Sequence, residues 1–198
     1  SLREEMEPLH FVVPDQFVDR THHQRETSFF TDGIVAHVSL ADPVAPELTK
    51  ILVESCNKAN VTVHKGGTYI NMEGPQFSTR AESNLYRTWG MDIIGMTNLV
   101  EAKLAREAEI SYASLCAVTD YDCWHEGHED VTVEMIIETL NKNVANSKEI
   151  LKHAIPQVGA LTEFSANDAL KFSIITAPDK VSEQKKKDLA PLIGKYIK

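Results

Sequence analysis

Residues 110–119 (ISYASLCAVT) are almost all apolar or small and carry no charge. Such a run reads as a central β-strand covered on both faces, as in sheets that carry helices on each side. The remainder of the chain alternates accordingly. Phe11-Val12-Val13 before Pro14 and residues 34–40 have strand composition, with a polar loop between them. Asp42-Pro43 opens a helix carrying Leu48, Ile51, Leu52 and Cys56 at helical spacing. Residues 61–64 and 68–72 read as two strands meeting at a tight Gly66-Gly67 turn.

Glu73-Gly74-Pro75-Gln76-Phe77 is not helical, because Pro75 restricts its neighbour and lacks an N–H. Thr79-Arg80-Ala81-Glu82 fits a capping box, opening a helix that can run to Gly90. A short buried strand over 93–97 follows, then a helix capped by Asn98 and carrying Val100, Leu104 and Ala108. Val133, Ile136, Ile137, Leu140, Val144 and Leu151 mark a long amphipathic helix that should end before Pro156. A last helix is expected over about 182–196. The expectation is one α/β domain over residues 1–198, with a central mixed, largely parallel sheet flanked by helices. A sheet beginning at Phe11 is short of strands for this much helix, so its exposed edge calls for a partner or for residues this chain lacks.

Composition narrows the function. The net charge of −9 argues against nucleic acid, and Lys185-Lys186-Lys187 sits among Glu183 and Asp188 as a solvated helix face would. No apolar run is long enough to span a bilayer, and no secretory core opens the chain. Three cysteines, an odd number without a CxxC, suit free thiols. These features predict a soluble cytoplasmic protein. The patterns GxxxxGK[ST], GxGxxG and GxSxG do not occur.

Several constellations can carry chemistry. Thr119-Asp120-Tyr121-Asp122 directly follows the apolar run, where ligands of α/β sheets bind. One carboxylate can accept from an exocyclic amino group, and another, protonated, can donate to a ring nitrogen. The same spacing also suits a turn in which Asp side chains bond backbone N–H groups. Phe77-Ser78 can stack on and hydrogen-bond a planar ligand, or serve as core residue and helix start. Met96-Thr97 precedes a helix N-terminus, where a hydroxyl and N–H groups favour an anion. Asp120, Asp122, His125 and His128 fall within nine residues and form a competing candidate metal site, though without the acidic base of HExxH.

Taken together, the blocks 73–83 (EGPQFSTRAES), Met96-Thr97 and 117–124 (AVTDYDCW) resemble the 5′-methylthioadenosine phosphorylases, within the purine nucleoside phosphorylase family. Residues 15–21 (DQFVDRT) match as well, and the resemblance runs from Ser1 to about Pro156. It implies phosphorolysis of methylthioadenosine to adenine and methylthioribose 1-phosphate, with inorganic phosphate as co-substrate and no cofactor or metal. It further implies that Phe77 packs on the purine and Ser78 helps hold it, with Asp120 at N7 and Asp122 on the 6-amino group. Met96 would position the ribose and Thr97 contact phosphate. Val133, Ile136 and Ile137 would wall the methylthio group, and His37 would reach a neighbouring subunit's site in a homotrimer. Relatives carry an earlier segment with the main phosphate loop, an Arg-His pair and the first strands, so the resemblance implies an N-terminally incomplete domain. A remnant that only associates with intact subunits is the further alternative to a metal-dependent domain.

Overall fold

The structure, a computed structural model, describes residues 1–22, 25–126 and 133–197, with side chains described except at 133–136. Its spine is a pair of parallel, bent strands. β1 (Phe11–Val13) and β2 (Gln16–Arg20) form one arm, and β3 (Val63–Lys65) and β4 (Thr68–Met72) form the other, with α1 (Pro46–Lys58) between them in sequence. Register is unbroken across the bend, since Val13 faces Lys65 and Gln16 faces Thr68. Hydrogen bonding therefore continues through the bend: Gly66 N–H reaches the Val13 carbonyl at 2.9 Å, and Asp15 N–H reaches that of Gly67 at 3.1 Å. Gly66 and Gly67 thus do not reverse the chain as a tight turn would; both strands run on in the same direction. Their φ angles of 86° and 113° still demand glycine, and a Cβ on Gly67 would lie 3.1 Å from the Asp92 carboxylate.

After α2 (Arg80–Thr88), β5 (Ile93–Gly95) adds in parallel to the outer edge of β4. After α3 (Leu99–Glu107), β6 (Cys116–Ala117) adds antiparallel to β1. Two three-stranded sheets result, β3-β1-β6 and β2-β4-β5, joined by the bent arms. The α/β architecture is as expected, mixed and mostly parallel. The apolar run of 110–119, however, contributes only two paired residues. Its earlier groups are spent elsewhere: the Tyr112 carbonyl accepts from Ala45 N–H, and Ser111 Oγ donates to Glu47.

Residues 34–40 make a single bridge, Ala36 to Ile174, because the segment they meet is the irregular tail. The first helix starts at Pro46 rather than Asp42. α4 (Val133–Gly159) continues through Pro156, its Ile150 and Ala154 buried and the helix packed on α1. That burial outweighs the hydrogen bond a proline removes. The last helix is two, α5 (Glu183–Asp188) and α6 (Ala190–Ile193), divided at Leu189 ahead of Pro191. This tail packs Leu170, Val181, Leu189 and Ile193 on Phe30 and Ile34 as a separate small core.

Candidate functional site

The carboxyl ends of β5 and β6 open on one cavity of about 530 Å³. At the β5 end the chain turns sharply through Met96-Thr97-Asn98 into α3. Asn98 takes φ 94°, unusual for a residue with a side chain. Three contacts hold it there. Its N–H donates to Glu101 at 3.0 Å, its Oδ1 accepts from the Tyr112 hydroxyl at 2.7 Å, and its amide faces Cys116 Sγ at 3.7 Å. The next N–H, that of Leu99, donates to Oδ1 of fully buried Asn71 on β4 at 3.2 Å. A side chain from the neighbouring strand thus satisfies one of α3's first donors.

The β6 end is fixed from both sides. The Val118 carbonyl accepts from Leu9 N–H at 3.0 Å and from the buried Asn143 amide of α4 at 2.9 Å. Beyond it, Thr119 donates to Asp120 Oδ1 at 2.6 Å, and Asp122 N–H and Trp124 Nε1 both donate to the Ser1 carbonyl. Arg87 of α2 lies over the Trp124 ring, 3.6 Å from its centre, and donates to the Leu2 carbonyl. The Asp120–Asp122 loop is therefore clamped against the first residues and α2. Asp122 Oδ2 is buried, with no hydrogen-bond partner among the described residues. A carboxylate oxygen in that state is costly unless something is there to bond it.

The third wall comes from the Gly74-Pro75 turn. Gly74 has φ 73°, and a Cβ there would meet Met96 Sδ at 2.5 Å, so glycine lets Met96 pack under the turn. Phe77 follows and lines the cavity with its ring 84% exposed, which rules out a core role. Ser78 lies beside the cavity rather than on its wall: Oγ faces Met72 Sδ at 3.7 Å, and its carbonyl accepts from Cys123 at 3.3 Å. That last contact ties the Asp loop to the Phe77 segment.

Residues 1–156 match the sequence profile of the phosphorylase superfamily. A protein of Geobacter sulfurreducens named S-methyl-5′-thioadenosine phosphorylase is 50% identical over 197 residues, covering 100% of this chain and 69% of its own length. Its namesake in Thermosynechococcus vestitus is 54% identical over 201 residues, with the same coverage. The chain belongs to the phosphorylase superfamily, and within it to the methylthioadenosine phosphorylases. Solved structures agree. A methylthioadenosine phosphorylase from an antarctic soil metagenomic library superposes with a TM-score of 0.92 at 45% identity, over 97% of this chain and 68% of that one. The Schistosoma mansoni methylthioadenosine phosphorylase with adenine gives 0.82 at 33% identity, over 88% and 70%.

Within this phosphorylase fold, the cavity brings together Phe77, Met96, Thr97, Asp120 and Asp122 from three segments of sequence. Other expected residues lie elsewhere. His37 is exposed on the bridging segment, its N–H bonded to the Ser173 carbonyl at 2.8 Å. Ile137, half exposed, lines a shallow groove along α4 with Glu138 and Lys142. The side chains of Val133 and Ile136 lie outside the described residues, as does His128. His125 stacks on Tyr121, ring centres 4.4 Å apart. Among the described residues no three His, Cys, Asp or Glu side chains are placed to hold one metal ion.

No sequence motif marked the remaining polar part of the cavity wall. Tyr69, Asn98, Ser114 and Cys116 line it. Burial is the main influence raising the pKa of the Tyr69, Tyr112 and Cys116 groups, so all three stay neutral near pH 7. The one sequence signal was a polar Asn71 inside the apolar strand of 69–72. The cavity thus combines two carboxylates with a set of neutral donors.

Proposed function

We propose that this chain carries out phosphorolysis of 5′-methylthioadenosine, giving adenine and 5-methylthioribose 1-phosphate. The reading is carried by the convergence of Asp120, Asp122, Phe77, Met96 and Thr97 on one cavity in a chain half identical, end to end, to proteins named for that reaction. Breaking the glycosidic bond builds positive charge on the sugar and negative charge on the leaving base. In this reading Asp120 meets the base at N7, stabilising or supplying the proton there, a general-acid effect of about 10²–10⁴-fold. Asp122 accepts from the 6-amino group, which agrees with its buried, unpartnered oxygen. Phe77 covers the purine, with Ser78 behind it helping to hold it. Met96 contacts the ribose. Thr97, at the start of α3, contacts the phosphate that captures the sugar cation.

The co-substrate is inorganic phosphate, with no cofactor. The resemblance assigns the apolar wall for the methylthio group to Val133, Ile136 and Ile137, of which Ile137 lies on α4 outside the cavity described above. His37, exposed and outside the cavity, is suited to serve a neighbouring subunit in a homotrimer. The setting is cytoplasmic; among the described residues no helix is long and apolar enough to cross a membrane. The test is adenine release from methylthioadenosine with and without phosphate. Phosphate-dependent release that survives chelator and falls at least about 100-fold in Asp120→Ala is the expected result. Release without phosphate, or loss on chelation, would overturn the reading in favour of hydrolysis or a metal site.

A further inference from the structure

Tyr69 sits on β4 with its ring in the core, against Met6, Val12, Ile93, Val118 and the edge of Phe17. Its hydroxyl leaves that core. A Cβ built on Gly95 would stand 1.8 Å from the Tyr69 hydroxyl oxygen and 2.8 Å from the ring carbon that bears it. Gly95 has no left-handed φ to explain it, so glycine is required here purely for space. The absent side chain is what lets the phenol pass over the end of β5 and reach the cavity wall. There it lines the cavity together with Thr97 and Asn98. Asn98 is itself held in a strained conformation by Glu101 and Tyr112, so this corner is rigidly specified.

We propose that the Tyr69 hydroxyl, admitted by Gly95, is a substrate-contacting group that donates a hydrogen bond to the anionic co-substrate beside Thr97. The inference rests on the phosphorolytic reading above. A phenol on a core-anchored ring has little rotational freedom left to lose, so its donor is preorganised. Burial raises its pKa, which keeps the proton in place as an anion approaches. Two donors of different length, a short hydroxyl from the turn and a long one from the neighbouring strand, then meet the ligand from different directions. Thr97 alone would contact it from one side.

The test is Tyr69→Phe, which removes one oxygen and keeps the packed ring. Donation to a charged acceptor predicts a KM for phosphate raised about 10-fold or more, with the KM for methylthioadenosine within about 2-fold and the melting temperature unchanged. Gly95→Ala, which displaces the hydroxyl without deleting it, is expected to raise the phosphate KM in the same direction. A second readout does not require turnover: inorganic phosphate should raise the melting temperature of the wild type and do so much less for Tyr69→Phe. Equal phosphate KM values, or equal stabilisation by phosphate, would overturn the proposal. A wild type that binds phosphate but releases no adenine would fail the phosphorolytic reading, leaving the phosphate-stabilisation arm to decide Tyr69. A wild type that phosphate does not stabilise at all would overturn Tyr69's role as well.

Discussion

Replacing Asp122 with Asn isolates the chemistry of the carboxylate, because the two side chains have nearly the same shape. The buried Oδ2 has no partner among the described residues, so the folded chain loses no known bond to it. Neutralising a poorly solvated carboxylate also lowers its burial cost. The melting temperature should therefore stay within about 2 °C, given about 2–4 °C per kcal/mol for a domain of this size. Substrate choice should change. A hydrogen bond to a charged acceptor contributes about 1.5–3 kcal/mol, so kcat/KM for methylthioadenosine should fall about 10- to 150-fold. The 6-oxo nucleoside should gain, since an amide N–H can donate to a carbonyl that a carboxylate repels. The ratio of the two kcat/KM values, measured by base release, is expected to fall by about 10² or more. An unchanged ratio with an intact fold would refute Asp122 as reader of the 6-position. A melting temperature lower by about 5 °C or more would show that the oxygen has a structural partner.

Two further outcomes test the scaffold. Asn71→Ala removes the acceptor of the buried Leu99 N–H at the start of α3, which should cost about 1–2 kcal/mol and lower the thermal midpoint by about 2–8 °C; no shift would show that the helix start is held without it. The Asp19 carboxyl is set about 2, because its bonds to Lys103 and Thr21 together outweigh the upward push of burial. A depressed carboxyl pKa contributes stability above its unfolded value of about 3.9 that is lost as pH falls through the folded value. The advantage of wild type over Lys103→Met in urea midpoint should therefore be full at pH 7 and shrink between about pH 4 and 2. A difference that does not vary with pH would rule out the ion pair as its source.

What could be read in the sequence was decided within a few residues. The Thr79–Glu82 capping box forms as expected, with Thr79 N–H and hydroxyl both donating to Glu82. Gly90 falls just past α2 with φ 79°. Three of the motif blocks that carried the resemblance, 73–83, 96–97 and 117–124, follow strands and line one cavity, while 15–21 covers strand β2 itself. What was illegible depended on distant partners. Asn98 is the N-cap of α3 as its spacing suggests, its N–H on Glu101, but its side chain also meets Tyr112 and Cys116, and Asn71, 28 residues from Leu99, bonds the Leu99 N–H. Composition made 110–119 a central strand, but composition is silent on whether a neighbour offers a free edge, and only Cys116–Ala117 found one.

Glycine shows the same division most sharply. Gly66, Gly67 and Gly74 announce themselves because glycine commonly marks turns, and each does take a positive φ. Gly95 gives no such signal: it ends a short apolar strand and has ordinary backbone. Its reason is the Tyr69 phenol, which arrives from a residue 26 positions earlier and occupies the space of the missing Cβ. The polar wall of the cavity is thus encoded as a pair, a tyrosine on one strand and an absent side chain on the next. Neither half carries meaning until the parallel register sets Tyr69 near Gly95. A substitution at either position should therefore act on the same part of the site, and the two together should be far from additive.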